Sequence, residues 1–184
     1  MTITRNHVAL LVRSVRDTGR KLAELGFHIG PAENWEGEGT LEIYVERERG
    51  NSLLLMEPTK SGAYKNALDK RGPGLHHLAI DVLQLDPYLS SLAGSGWLLH
   101  PTSFQTIQKS RTVYLARPGF PALIEVQERP QLDNKPEFVT GLELPFTPDL
   151  TRLLPYVGLK ETVRPSAEAA LQLGTFRVTL ENLL

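Results

Sequence analysis

The chain has 184 residues, 41% apolar and 22% charged, with a net charge of −1. That is the balance of one globular domain or of two small modules sharing a core, and nothing in it asks for a nucleic-acid backbone as partner, which would need a clustered basic surface. There is no cysteine, which excludes disulfides, thiolate metal sites and a cysteine nucleophile, and the chain has neither an apolar run long enough to cross a bilayer nor an N-terminal apolar stretch of secretory length, so a cytoplasmic, membrane-free protein is expected.

Residues 6–12 are apolar on both faces and read as a strand covered on both sides. Ser14 is a helix N-cap, and the spacing of Val15 and Leu22 predicts a helix over about 15–24, stopped by Gly26. Phe27-His28-Ile29 starts a second strand, and residues 31–39 are a polar loop. Leu41–Val45 alternates as a third strand. After a Gly50-Asn51 turn, Leu53–Met56 is a fourth, closed by Pro58. Residues 1–58 are therefore a βαβββ module. Residues 59–73 link it to a second, with a short helix expected near 63–68.

The second module, 74–128, repeats the first. His77 stands 70 residues after His7, and at the same offset Val82 falls on Val12, Gly96 on Gly26 and Trp97 on Phe27. Further on the offset becomes 71, which puts Glu125 on Leu54 and Glu128 on Glu57. Strands are expected over 112–117 and 122–127. A repeat of this length is fold-level information, to be weighed before any single residue. After Glu128 comes a Pro-containing linker, 129–136, then an extension to 184 with a strand, a helix-like stretch at 148–157, Gly158 and a last strand near 175–180. The extension is either a degenerate partial third module or an unrelated addition. It packs on the body or makes a subunit contact in a homodimer.

The fold class is thus α+β: paired βαβββ modules whose mixed sheet curls around a central cleft, plus a C-terminal extension. If the modules are related by a pseudo-twofold axis, His7 and His77 converge on that cleft. Side chains alternate along a strand, so Glu125 on a neighbouring strand can face the same cleft. Two histidines and one carboxylate with open positions suit Fe(II), Mn(II), Co(II), Ni(II) or Zn(II). Alone, a strand histidine is more often structural than a ligand, and the repeat carries the case for the set. By alternation His76 points to the other side of its strand, as a bystander. His28 and His100 are expected at the surface, and Phe27 and Trp97 in the core. Lys109-Ser110-Arg111 could meet an anionic substrate, although a few basic loop residues are more often simply solvated.

Three stretches carry a resemblance: Leu53-Leu54-Leu55-Met56-Glu57-Pro58, Gly74-Leu75-His76-His77-Leu78-Ala79-Ile80-Asp81-Val82 and Ala122-Leu123-Ile124-Glu125-Val126. Together they resemble the vicinal oxygen chelate superfamily, which includes glyoxalase I, methylmalonyl-CoA epimerases, extradiol dioxygenases and the fosfomycin and bleomycin resistance proteins. The local match is greatest to the epimerases. It covers residues 6–128 and implies a divalent metal on His7, His77 and Glu125, a small-molecule substrate, and Glu125 as a catalytic group if it leaves the metal. The family's fourth ligand position falls on Leu54, which cannot bind a metal. The resemblance then leaves three readings. One is epimerase- or lyase-like proton transfer. Another is an extradiol-type dioxygenase on three ligands, with Tyr114 present but no histidine in the Thr106–Lys109 stretch upstream of it and His100 too far back. The last is a metal-free binding protein. Glu36, Glu38 and Glu42 lie near where epimerases place a second acid–base carboxylate, with a solvated loop the expected role for Glu36 and Glu38.

Overall fold

The computed structural model describes residues 2–132 and 135–184, so Asp133 and Asn134 of the expected linker lie outside the described residues. The first half of the chain forms β1 (Ile3–Leu11), α1 (Val15–Glu24), β2 (Ile29–Trp35), β3 (Thr40–Val45) and β4 (Ser52–Pro58). After α2 (Ala63–Arg71) come β5 (Gly74–Val82), α3 (Leu85–Ser91), β6 (Leu98–Leu99), α4 (Ser103–Ser110), β7 (Thr112–Ala116) and β8 (Leu123–Glu128). These eight strands make one mixed sheet in the order β2-β3-β4-β1-β5-β8-β7-β6. Read from each edge inward, both halves have the same order. In each, the first and fourth strands run parallel, and the halves meet where β1 pairs antiparallel with β5.

Alternation along the four central strands sorts their residues by face. Val8 and Leu10, Leu53 and Leu55, Leu78, Ile80 and Val82, and Ile124 and Val126 all enter the main core. Each such fully buried aliphatic side chain contributes roughly 1.5–3 kcal/mol relative to an exposed one. The intervening Ala9, Leu11, Leu54 and Met56 form a separate small cluster on the other face, where Leu68 of α2 packs on them. That second face is the cleft.

Ser14 caps α1 as its sequence implies, its Oγ accepting from the Asp17 amide at 3.2 Å. The ends of β4 and β8 supply matching contacts. Glu57 Oε2 accepts from the Val15 amide at 2.9 Å, and Glu128 Oε2 from the Leu85 amide at 2.7 Å. A carboxylate at a helix N-terminus is favoured by the exposed amides and the helix dipole. Glu57 and Glu128, which the 71-residue offset aligns, thus do the same work in each half.

Three expectations are corrected here. Residues 31–35 belong to β2, which begins at Ile29, not to a loop. β2 is an edge strand whose ladder with β3 is interrupted between Ile29 and Ala32, and an edge with an irregularity tolerates the proline that a central strand would not. The strand after α3 shrinks to two residues, β6, followed by the unforeseen α4. Lys109 and Ser110 lie in the last turn of α4, and Arg111 is committed to ion pairs with Glu128 at 3.0 Å and Asp86 at 3.1 Å, so the three do not form a free anion site.

The extension contains β9 (Val139–Leu144), a 3-10 helix (Pro148–Val157), β10 (Val163–Pro165), β11 (Ala170–Leu173), β12 (Phe176–Thr179) and the short α5 (Leu180–Leu183). Its four strands form a second sheet, β10-β9-β11-β12. Here the strand after the helix pairs parallel with β9, whereas in both halves of the large sheet the strand after the helix lies at the far edge. The extension joins the main core: Phe138, Leu142, Leu144, Leu154 and Val157 are buried with the residues of the large sheet, and Trp97 Nε1 donates to the Leu153 carbonyl at 3.0 Å. Asn51 pins it at the other end. Its Oδ1 accepts from the Phe138 and Val139 amides, both at 2.7 Å, and its Nδ2 donates to the Val139 carbonyl at 2.8 Å. Beside it the Gly50 amide donates to Pro136, and a Cβ on Gly50 would lie 2.0 Å from the Lys135 carbonyl.

Candidate metal centre

Four adjacent strands, β4, β1, β5 and β8, form the floor of the cleft. His7 comes from β1, His77 from β5 and Glu125 from β8, and all three are buried. His7 Nε2 is 2.9 Å from His77 Nε2, and His77 Nε2 is 3.0 Å from Glu125 Oε2. The three donors lie within 4.8 Å of one another. Two atoms bound at right angles to one ion at about 2.1 Å stand about 3 Å apart. The donor set therefore has the chemistry and the spacing for one divalent ion.

The surroundings keep His7 and Glu125 in the protonation states that such an ion needs. Burial, reinforced by His77 and opposed by Glu125, lowers the His7 imidazole to about 3, so it is neutral at ordinary pH. Burial raises the Glu125 carboxyl, but hydrogen bonds from His77 and the Gln127 amide, with the electrostatic pull of the two imidazoles, outweigh it and hold the group ionised. Behind the ligands, His7 Nδ1 lies 2.8 Å from Asn6 Oδ1, and Asn6 Nδ2 donates to Asp81 Oδ2 at 2.7 Å. Arg129 Nε reaches Asp81 Oδ1 at 3.4 Å.

The cleft above the floor is small, about 90 Å³. Leu54 and Met56 are its apolar wall, Trp35 stands at its rim, and Glu38, Glu42, Tyr44, Tyr64 and Tyr114 complete it. Leu54 pairs with Ala9 as Glu125 pairs with Ala79, so the leucine occupies the mirror position of the carboxylate. Glu42 is buried, and Thr40 Oγ1 donates to its Oε1 at 2.8 Å. Burial raises its pKa more than this bond lowers it. Burial likewise raises all three tyrosines, which stay protonated as donors.

His7, His77 and Glu125 are thus brought together. His28 is exposed, and His100 Nδ1 is engaged with Thr102 Oγ1 at 3.0 Å. Trp97 is in the core, and Phe27 packs against Phe138 and Phe176 with ring centroids 5.1 and 5.5 Å apart. Glu36 lies outside the residues lining the cleft. His76 is not a bystander: its Nδ1 lies 2.9 Å from His77 Nδ1, and its ring is 5.1 Å from that of Tyr64. Alternation fails at this point because β5 carries an irregularity there. Tyr44 and Met56 could have been found from alternation, as the same-face neighbours of Glu42 and Leu54. Tyr64 could not, because only tertiary packing brings α2 over the cleft.

Comparison with known proteins bears on the fold. No protein-family model and no curated protein matches the chain. Among solved structures, a hypothetical protein from Bacillus halodurans C-125 matches with a TM-score of 0.57 at 18% identity, over 73% of this chain and 100% of that one. A methylmalonyl-CoA epimerase from Mycobacterium tuberculosis matches at 0.53 and 26% identity, over 68% and 87% of the two chains. A methylmalonyl-CoA epimerase in complex with methylmalonyl-CoA and NH4+ matches at 0.54 and 20%, over 72% and 100%. The fold is that of the vicinal oxygen chelate, or glyoxalase-like, superfamily. Among proteins of that fold, this chain resembles methylmalonyl-CoA epimerase.

Proposed function

We propose that the protein is a divalent-metal-dependent enzyme that moves a proton at the carbon beside a carbonyl of a small acyl substrate, as an epimerase or related isomerase does. The convergence of His7 Nε2, His77 Nε2 and Glu125 Oε2 on the cleft floor carries this reading. These three side chains would hold the ion, which supplies Lewis-acid chemistry toward a substrate oxygen where negative charge develops. His7 presents a neutral ring and Glu125 an ionised carboxylate to it.

Glu42 is the base in this reading. It is buried, faces the cleft and has its proton affinity raised by burial, which brings a carboxylate nearer to the working pH of a general base. Glu125 comes from the opposite half of the sheet. Released from the ion, Glu125 would be the second acid–base group, facing the carbon from the side opposite Glu42. The tyrosine hydroxyls orient oxygen atoms of the substrate, and Leu54 and Met56 keep the reacting end dry. A cleft of about 90 Å³ takes only the reacting end of a larger molecule.

The experiment is exchange in D2O. With a divalent ion and a 2-methylmalonyl thioester, deuterium should enter the carbon between the carbonyls, and Glu42→Gln should slow this by about 100-fold or more. A chain that binds the ion but exchanges no deuterium rules out this activity. The three-donor set and Leu54 favour one other reading, an extradiol-type dioxygenase. Uptake of oxygen by the Fe(II) protein with a catechol would select it.

A further inference from the structure

The residue before each cleft histidine is the extra residue of a β-bulge. In the β1–β5 ladder Arg5 pairs with Ile80 and His7 with Ala79, which leaves Asn6 without an opposite residue. Four residues on, Ala9 pairs with His77 and Leu10 with Leu75, which leaves out His76. Asn6 and His76 are 70 residues apart, as are His7 and His77. A bulge breaks strict alternation and re-aims a side chain. In both places it brings the extra residue to Nδ1 of the histidine that follows: Asn6 Oδ1 at 2.8 Å from His7, His76 Nδ1 at 2.9 Å from His77.

The protons can be placed from these contacts. Asn6 Nδ2 donates to Asp81, so Asn6 Oδ1 faces His7 and can only accept. His7 therefore carries its proton on Nδ1 and turns a lone pair on Nε2 to the cleft. His77 Nε2 then faces two acceptors, His7 Nε2 and the Glu125 carboxylate, and must itself carry a proton. In a neutral ring its Nδ1 is then a lone pair, which accepts from His76 Nδ1. To offer an ion a lone pair at Nε2, His77 needs the opposite tautomer, with Nδ1 donating to His76. Asn6 holds one role only. A histidine at 76 can take either.

We infer that Asn6 and His76 are positioning residues that set the tautomers of His7 and His77, Asn6 as a fixed acceptor and His76 as a reversible partner that lets His77 Nε2 change from donor to lone pair. In that change the Nε2 proton leaves His77 and the Nδ1 proton passes from His76 to His77. His76 takes up one proton on Nε2, so both rings stay neutral. His76 also lines a separate cavity of about 500 Å³ between the α2–β5 junction and the extension. The reversible role rests on the proposed metal site; the tautomers of the metal-free protein do not.

The test is 15N NMR of the imidazoles, metal-free and with Zn(II), combined with zinc affinities. Metal-free, His7 should carry its proton on Nδ1 and His77 on Nε2; with zinc, both should carry it on Nδ1. Asn6→Leu and His76→Phe should each weaken zinc binding about 10- to 100-fold. His76→Asn, which copies the arrangement at His7, should bind nearly as the wild type does. It keeps the test open if His76→Phe does not fold. A metal-free His77 protonated on Nδ1, or zinc affinities unchanged in Asn6→Leu and His76→Phe, overturns the inference. Assigned metal-free tautomers in a chain that binds no zinc support the positioning roles and overturn the metal reading alone.

Discussion

Single side chains decide what the cleft can do. Leu54 stands where the symmetry of the two halves would put a second carboxylate, and it makes the site a three-donor one with an apolar wall. Leu54→Glu should therefore tighten zinc binding roughly tenfold or more, by adding a charged ligand. It should destabilise the metal-free chain by about 3 kcal/mol, because the new carboxylate is buried without a partner. Calorimetric titration and thermal unfolding check both signs. The convergence of His7, His77 and Glu125 was legible in the sequence because repeat and alternation both constrain it. Glu42 was noticed only by its place near β3. What makes it a candidate base is burial and the Thr40 contact, which depend on how β3 packs.

At the scale of elements, the regular parts were legible and the irregular ones were not. α1 lies where Ser14, Val15 and Gly26 place it. The bulges at Asn6 and His76 have no sequence signature, since neither residue is a glycine and both sit in apolar strands. Strict alternation therefore turns His76 away, and the bulge turns it back. The turn between β3 and β4 has a role that local chemistry does not announce. Asn51 holds the start of β9 through three buried hydrogen bonds. Asn51→Ala leaves the amides of Phe138 and Val139 unpaired and should cost about 2–4 kcal/mol. A melting temperature lower by about 5–15 °C would register that loss.

For the whole molecule, the two halves supply the site and the extension supplies part of the core. His7 and His77 face each other only because the halves join edge to edge along β1 and β5. The order of strands is the same in each half. The path of the extension does not follow that order, because its strand pairing differs from that of either half. The residues buried with it include Trp97, Phe120, Leu142, Leu144, Leu154 and Leu171. A chain ending at Glu128 should therefore fail to give soluble, cooperatively unfolding protein, as read by size-exclusion chromatography and circular dichroism. A stable, monodisperse fragment would show that the extension is dispensable for folding.

The central claim is that the cleft floor holds a divalent ion. It is tested most directly by titrating the metal-free protein with Zn(II) and Co(II), in the wild type and in His7→Ala and His77→Ala. The account requires one ion per chain in the wild type and its loss in both variants. No ion bound in the wild type, or equal binding in all three proteins, would contradict it.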